Sequence, residues 1–321
     1  MKDKFIEYLK YERGYSLHTI RAYSDDLALW CQFTSPTSYT DCTLSDARAF
    51  VMQQVEEGQN PRSINRRISS LRTFYTFLMR EGALSSNPFT KIHLQKQPLQ
   101  LPNFVQSSQM GALLERQEHD VRSATENLLW EASDSYSVAR DATIVMLLYH
   151  TGLRRSEVCG LRLSDFDTTQ RTLNVIGKRL KQRIVPLNSA IFEVLLKYLQ
   201  KRDEFCCLSP LNFLFLKEKR GSEGELVEVV GNDIYRIVRR EMTGNVSGAR
   251  CSPHTLRHTF ATDLMRNGVG INQVQELLGH SSISSTQIYT HNTIAELKKA
   301  YNAAHPRVGS DRENQEDEKL P

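Results

Sequence analysis

The sequence predicts a mainly α-helical protein with a small β-sheet, divided into two domains. Three observations carry that expectation. Apolar residues recur at helical spacing through the first 85 positions, a proline-bearing stretch without periodicity follows, and beyond it two short alternating runs interrupt a helical pattern. At 321 residues, 40% of them hydrophobic, the chain is long enough for two cores.

"KDKFIEYLKYE" (2–12) puts Phe5, Ile6 and Leu9 on one helical face, and "TIRAYSDDLALWCQF" (19–33) repeats the pattern. The clearest helix is "PRSINRRISSLRTFYTFLMRE" (61–81), where Ile64, Ile68, Leu71, Tyr75 and Leu78 form a stripe. Arg62, Arg66, Arg67 and Arg72 lie mostly off that stripe, beside Ser69, Ser70 and Thr73. Small residues would admit a nucleic-acid backbone while the guanidiniums reach its phosphates; an ordinary solvated face fits equally well. These residues make a helical domain over 1–86. "NPFTKIHLQKQPLQLPNF" (87–104) carries prolines at 88, 98 and 102, so an extended linker is expected over 87–105.

A second domain is expected over 106–307. "SVARDATIVMLLYHT" (137–151) fits a helix ended by Gly152. "TLNVI" (172–176) and "QRIVPL" (182–187) alternate like strands around the basic turn "GKRLK". Helices resume at about 189–202 and 233–242, while 121–137 has no clear pattern. The tail 308–321 holds five acids and two bases and is expected to be disordered.

Composition narrows the function classes. The chain has no run of 18 apolar residues, so no membrane insertion is expected. The N-terminus is charged from Lys2 onward without an apolar signal core, and the six cysteines show no C-x-x-C pair. A cytoplasmic protein with reduced thiols is therefore expected, without a disulfide frame or zinc site. Net charge is +4 overall and +7 without the acidic tail, which suits a nucleic-acid partner without establishing one.

Four segments could carry chemistry. "SPHTLRHTFATDLMRNG" (252–268) is a well-started helix, with Ser252 as N-cap, Pro253 at the first turn and Gly268 at its end. His254 and Arg257, three apart in the first turn, add their charge to the helix N-terminus and make an anion-binding corner. His258 lies four residues from His254, but the zinc form H-E-x-x-H needs a glutamate where Thr255 stands. "TGLRRSEVCGL" (151–161) projects Arg154 from a tight turn, as a phosphate ligand or a salt-bridge partner, with Ser156 and Glu157 in the next first turn. Lys178 stands at the tip of the strand–turn–strand. In "LLGHSSISSTQIYTH" (277–291), Ser284 with Gln287 suggests a short helix carrying Tyr289, and Thr293 with Glu296 restarts a helix after it. Together these segments supply cations for a pentacoordinate phosphate, a proton donor and a nucleophile.

The ordered set "TGLRRSEV", "VIGKRLKQRIVPL", "HTLRHTFAT" and "LLGHSSISSTQIYTH" resembles the catalytic domain of tyrosine recombinases, most nearly their bacterial Xer type. "GYSLHTIRAYSDDL" and "SINRRISSLRTFYTFLMREG" resemble that family's core-binding domain, so the resemblance covers about residues 1 to 307. It implies a SAM-like helical core-binding domain and an α+β catalytic domain that close on DNA as a C-shaped clamp. It assigns Arg154, Lys178, His254, Arg257, His280 and Tyr289 as the catalytic set, with Tyr289 the nucleophile that forms a 3′-phosphotyrosine. Arg62, Arg66, Arg67, Arg72, Arg179 and Lys181 become candidate DNA contacts. Two departures stand out: Arg179 follows the lysine where Xer turns often have glycine, and 121–137 is longer than in typical members.

The resemblance further implies double-stranded DNA with an inverted-repeat core site and a homo- or hetero-tetramer with a related recombinase on two sites. A regulatory septal DNA translocase is a further implied partner. No cofactor, metal or ATP is expected. The implied role is resolution of chromosome or plasmid dimers. A mobile-element integrase or invertase is the alternative, and the start of the chain in core-binding helices favours the Xer role. A non-catalytic DNA-binding protein is the alternative from another class, and a type IB topoisomerase would share the chemistry without pairing sites.

Overall fold

The computed structural model describes residues 1–35, 38–96, 104–126, 132–177, 181–206, 211–219, 221–222 and 224–279. The chain divides near residue 101 into two compact units.

In the first unit, α1 (Lys2–Glu7) runs into a π-helical turn, Tyr8–Glu12. α2 (Leu17–Thr34) opens on Ser16, whose side chain accepts from the Thr19 backbone N–H, and α3 (Leu44–Glu56) on a reciprocal Thr43–Asp46 capping box. α4 (Pro61–Arg80) starts from Asn60 with Pro61 in its first turn. The expected stripe of Ile64, Ile68, Leu71, Tyr75 and Leu78 is buried, in one core with Phe5, Leu9, Trp30 and Phe50. Two buried aromatic groups in it are paired: Trp30 Nε1 donates to Tyr75 Oη (2.9 Å), which donates to the Tyr39 carbonyl (2.8 Å).

The stretch after α4 folds back on this helix. Phe89 and Ile92 are buried in the same core, and Asn65 exchanges hydrogen bonds with the Gln95 backbone (2.9 and 2.7 Å). Of the segment read from sequence as a connector over 87–105, residues 87–96 therefore pack with the first unit. Val105 is buried in the second, and 97–103 lie outside the described residues.

The second unit is built around α6 (Ala132–Thr151), which packs against α5 (Ser107–Glu126), α8 (Ser189–Cys206), α9 (Gly231–Met242) and α10 (Pro253–Arg266). Every residue from Ala142 to Thr151 is buried, so helices cover α6 on several sides. β1 (Phe166–Asp167), β2 (Thr172–Ile176) and β3 (Gln182–Pro186) form an antiparallel sheet in that order, with Leu173 opposite Val185 and Val175 opposite Arg183. β4 (Leu216–Glu218) pairs antiparallel with β5 (Leu226–Glu228). α7 (Arg155–Gly160) follows α6, and α11 (Ile271–Leu278) packs on α10 through Phe260, Leu264, Val274, Leu277 and Leu278. No described helix is long and apolar enough to cross a membrane.

Candidate active site

Three elements of the second unit, α7, β3 and α10, bring charged side chains to one place, the C-terminal end of α11. The last carbonyls of a helix have no partner within it. Here three consecutive ones are each met by a different arginine. Arg183 Nε donates to the Leu277 carbonyl (3.1 Å), Arg257 Nη2 to Leu278 (2.7 Å) and Arg154 Nη2 to Gly279 (3.2 Å). The negative end of the helix dipole favours these cations. Gly279 stops the helix in the left-handed conformation, φ 65°.

Arg154 is placed by the start of α7. Its backbone N–H donates to Glu157 Oε2 (2.8 Å), the N-cap bond expected of a glutamate three residues into a helix. Its guanidinium also donates to Glu157 Oε1 (2.8 Å) while its side chain keeps 34% exposure, enough to meet an incoming anion. Arg183, on β3, grips the same carboxylate with both terminal nitrogens (2.9 Å each). Burial alone would raise the Glu157 pKa; hydrogen bonding and charge from Arg183, with the bonds from Arg154, hold it below the ordinary 4.5. The carboxylate is therefore ionised at neutral pH.

Arg257 is placed by α10. Ser252 Oγ accepts from the Thr255 N–H (3.2 Å) and Pro253 opens the first turn, as expected from sequence. Arg257 is buried and also donates to the carbonyl of Gly152, the residue that ends α6 at φ 60°. Burial first, and the charge of Arg154 second, push its pKa down to about 10, which leaves it cationic at neutral pH. Three guanidiniums against one carboxylate leave a net charge of two, a setting that favours an anion with several oxygens.

His254 and His258 are exposed on the same helix, so the first turn turns Arg257 inward while leaving His254 open to solvent. Lys181 is exposed beside β3. Lys178, Arg179, His280 and Tyr289 lie outside the described residues, as do Ser284 with Gln287 and Thr293 with Glu296. In the first unit, Arg62 is exposed, whereas Arg66 pairs with buried Asp26. Arg67 bonds Gln54, and Arg72 donates to the carbonyls of Phe89 (3.2 Å) and Ile92 (2.9 Å). Arg67 and Arg72 thus hold the unit together. Among the described residues no group of three or more His, Cys, Asp or Glu could hold a metal ion.

Sequence reasoning missed Arg183 and the central part played by Glu157. A signal for Arg183 existed: it occupies the inward phase of an alternating strand, in step with Val185 and opposite Val175, where a charge needs a buried partner.

Comparison with known proteins fits this geometry. The model of the phage integrase family matches residues 120–296, and that of the phage integrase N-terminal SAM-like domain matches residues 3–82. Tyrosine recombinase XerC of Listeria innocua is 37% identical over 316 residues, covering 96% of this chain and 98% of its own. Tyrosine recombinase XerC of Bacillus subtilis is 35% identical over 313 residues, 95% of each. Among solved structures, XerH recombinase bound to palindromic difH substrate, in a post-cleavage complex, has a TM-score of 0.64. It is 21% identical and covers 94% of this chain and 84% of that one. The Tn1549 transposon integrase in complex with circular intermediate DNA has a TM-score of 0.62 at 22% identity, covering 92% and 97%. These two share the fold. Two family models that together span most of the chain, with relatives matched along nearly their whole length, place it: the chain belongs to the phage integrase family of tyrosine recombinases, which are DNA strand-transfer enzymes.

Proposed function

We propose that this protein is a site-specific DNA recombinase that cleaves and rejoins DNA through a 3′-phosphotyrosine and resolves chromosome or plasmid dimers. The convergence of Arg154 and Arg257 on adjacent carbonyls at the end of α11 carries the chemical reading. The XerC names of its full-length relatives support the biological one. The Tn1549 structure names DNA as the bound molecule and the XerH structure a palindromic difH substrate, which supports a DNA ligand here.

In this mechanism Tyr289 Oη attacks the scissile phosphate and the 5′ oxygen leaves with a proton from Lys178. Arg154 and Arg257 hold the non-bridging oxygens, where charge grows in the transition state. Tyrosine has an ordinary pKa near 10, so it needs a base or a positive field. His254, exposed in the first turn of α10, is the base, and the arginines supply the field. His280 hydrogen-bonds the phosphate. The phosphotyrosine keeps the energy of the broken bond, so an incoming 5′ hydroxyl reseals the strand without ATP.

Four subunits assemble on two inverted-repeat sites, alone or with a related recombinase. The segment 293–303, outside the described residues, docks on a neighbouring subunit. Arg62, Arg66 and Lys181 keep exposed side chains suited to backbone phosphates. The test is incubation with nicked suicide duplexes drawn from the replication-terminus region of the host genome. An SDS-resistant adduct is expected, absent in Tyr289→Phe and on the order of a hundredfold slower in Arg154→Ala. An adduct that persists in Tyr289→Phe would overturn the assignment.

A further inference from the structure

We propose that Arg183 is a positioning residue for strand cleavage: it keeps Glu157 from neutralising Arg154 and holds the backbone at Gly177 and Gly279. The inference rests on the function proposed above. It starts from the cost of placing a charge at this position. Arg183 is 6% exposed on the inward phase of β3, where an aliphatic residue opposite Val175 would pack without desolvation cost. All three guanidinium nitrogens are nevertheless used, two on the Glu157 carboxylate and one on the Leu277 carbonyl.

The consequence is electrostatic. Among the described residues Glu157 has two ion-pair partners, and Arg183 meets it with the bidentate geometry. With Arg183 present, the carboxylate is balanced without Arg154, whose positive charge stays available to a phosphate. With Arg183 removed, Arg154 is the ion-pair partner left to Glu157 among the described residues, and that pair is neutral. The field at the site then falls by one charge even though Arg154 is still in place.

The chain also comes close to Arg183 at two informative points, both glycines. A Cβ on Gly279 would lie 3.0 Å from its Nη1 and 3.2 Å from its Cδ and Cζ, so the backbone there rests on the guanidinium. A Cβ on Gly177 would lie 3.5 Å from Glu157 Oε1 and 3.6 Å from Arg183 Nη1, and the Gly177 N–H closes the hairpin stem on the Lys181 carbonyl (2.7 Å). Gly177 immediately precedes Lys178, and Gly279 immediately precedes His280. One side chain therefore ties together the approaches to two proposed catalytic residues and, through Glu157, a third.

The test compares Arg183→Gln, Arg183→Lys and the double variant Arg183→Gln with Glu157→Gln against wild type. The substrate is a nicked duplex that wild-type protein converts to adduct. Single-turnover cleavage, duplex affinity and thermal melting are measured for each. Arg183→Gln is expected to bind the duplex about as well as wild type yet cleave on the order of tenfold to a hundredfold slower. The double variant should recover most of that rate, because Arg154 no longer faces an unshared carboxylate. Arg183→Lys should fall between, since it keeps the charge but not the fork. A purely structural ion pair would lower the melting temperature and leave the cleavage rate of folded protein unchanged. Wild-type cleavage by Arg183→Gln, or a double variant no faster than the single, overturns the inference alone. If Arg183→Gln does not fold, the inference stands or falls on whether Arg183→Lys cleaves slower than wild type at unchanged affinity. Failure of wild type to form any adduct overturns the function and the inference together.

Discussion

Replacing Gly152 by alanine tests whether the end of α6 is the seat of the site. Gly152 adopts φ 60°, a conformation that costs a residue with a Cβ roughly 1–2 kcal/mol. Its new methyl would also lie 2.5 Å from Phe260 Cδ1 and 2.7 Å from Leu278 Cδ2, inside any normal contact. Phe260 and Leu278 both belong to the small core between α10 and α11, so relief requires that core to repack. Overpacking of this kind costs about 1–3 kcal/mol, which makes the expected loss about 3 kcal/mol in all. For a domain of this size that corresponds to a fall in Tm of roughly 6–12 °C.

Gly268→Ala is the matched control, because Gly268 has φ 88° with nothing within 4 Å of an added Cβ. It should cost only the backbone contribution, roughly 1–2 kcal/mol. Urea unfolding of the two variants, followed by far-UV circular dichroism, separates backbone strain from the clash. Cleavage should fall further in Gly152→Ala than in Gly268→Ala, since the Gly152 carbonyl holds Arg257. If Gly152→Ala unfolds at the same urea concentration as Gly268→Ala, the close packing of α6 against α10 and α11 is refuted.

Two further outcomes are expected. Glu157 has a folded pKa below the ordinary 4.5, so its contribution is fully present above that value and lost as pH falls through the folded pKa. Thermal melting of wild type and Glu157→Gln at a series of acidic pH values should show their difference shrinking below pH 4.5, and a constant difference would contradict the pairing. Arg72→Ala should destabilise the first unit by about 1–3 kcal/mol, because two carbonyls lose their donor, with unfolding followed by Trp30 fluorescence. Arg62→Ala should leave stability within about 0.5 kcal/mol while lowering the salt slope of duplex binding by about one, measured by fluorescence anisotropy.

Much of the fold is legible in local sequence, and the exceptions have physical reasons. The α4 stripe could be read because one face of that helix is buried and the other is not. The N-caps at Asn60 and Ser252 could be read because a cap involves only neighbours in sequence. The start of α6 could not, since "ASDSYS" (132–137) offers Tyr136 as its one large ring or aliphatic side chain, too little to mark a period. β1, β4 and β5 span two or three residues each, too few for alternation to register.

Charge was the least legible feature. The arginines of α4 form a plausible phosphate-binding face by spacing, yet Arg67 and Arg72 are committed to Gln54 and to the carbonyls of Phe89 and Ile92. Their guanidiniums reach partners 13 to 20 residues away, which no helical period encodes.

By itself, the sequence determined the helical first unit, the two-stranded run in the second, the capped start of α10 and the ordered motifs that place the chain in its family. These depend on contacts between residues close in the chain. Only the tertiary structure decided that Arg154, Arg183 and Arg257 meet three successive carbonyls of one helix end, with Glu157 shared between two of them. Arg183 lies 26 residues from its carboxylate and 94 from its carbonyl partner. Bonds over such separations form where packed helices and a strand bring backbones together, and burial then makes every unpaired charge costly enough to select that arrangement.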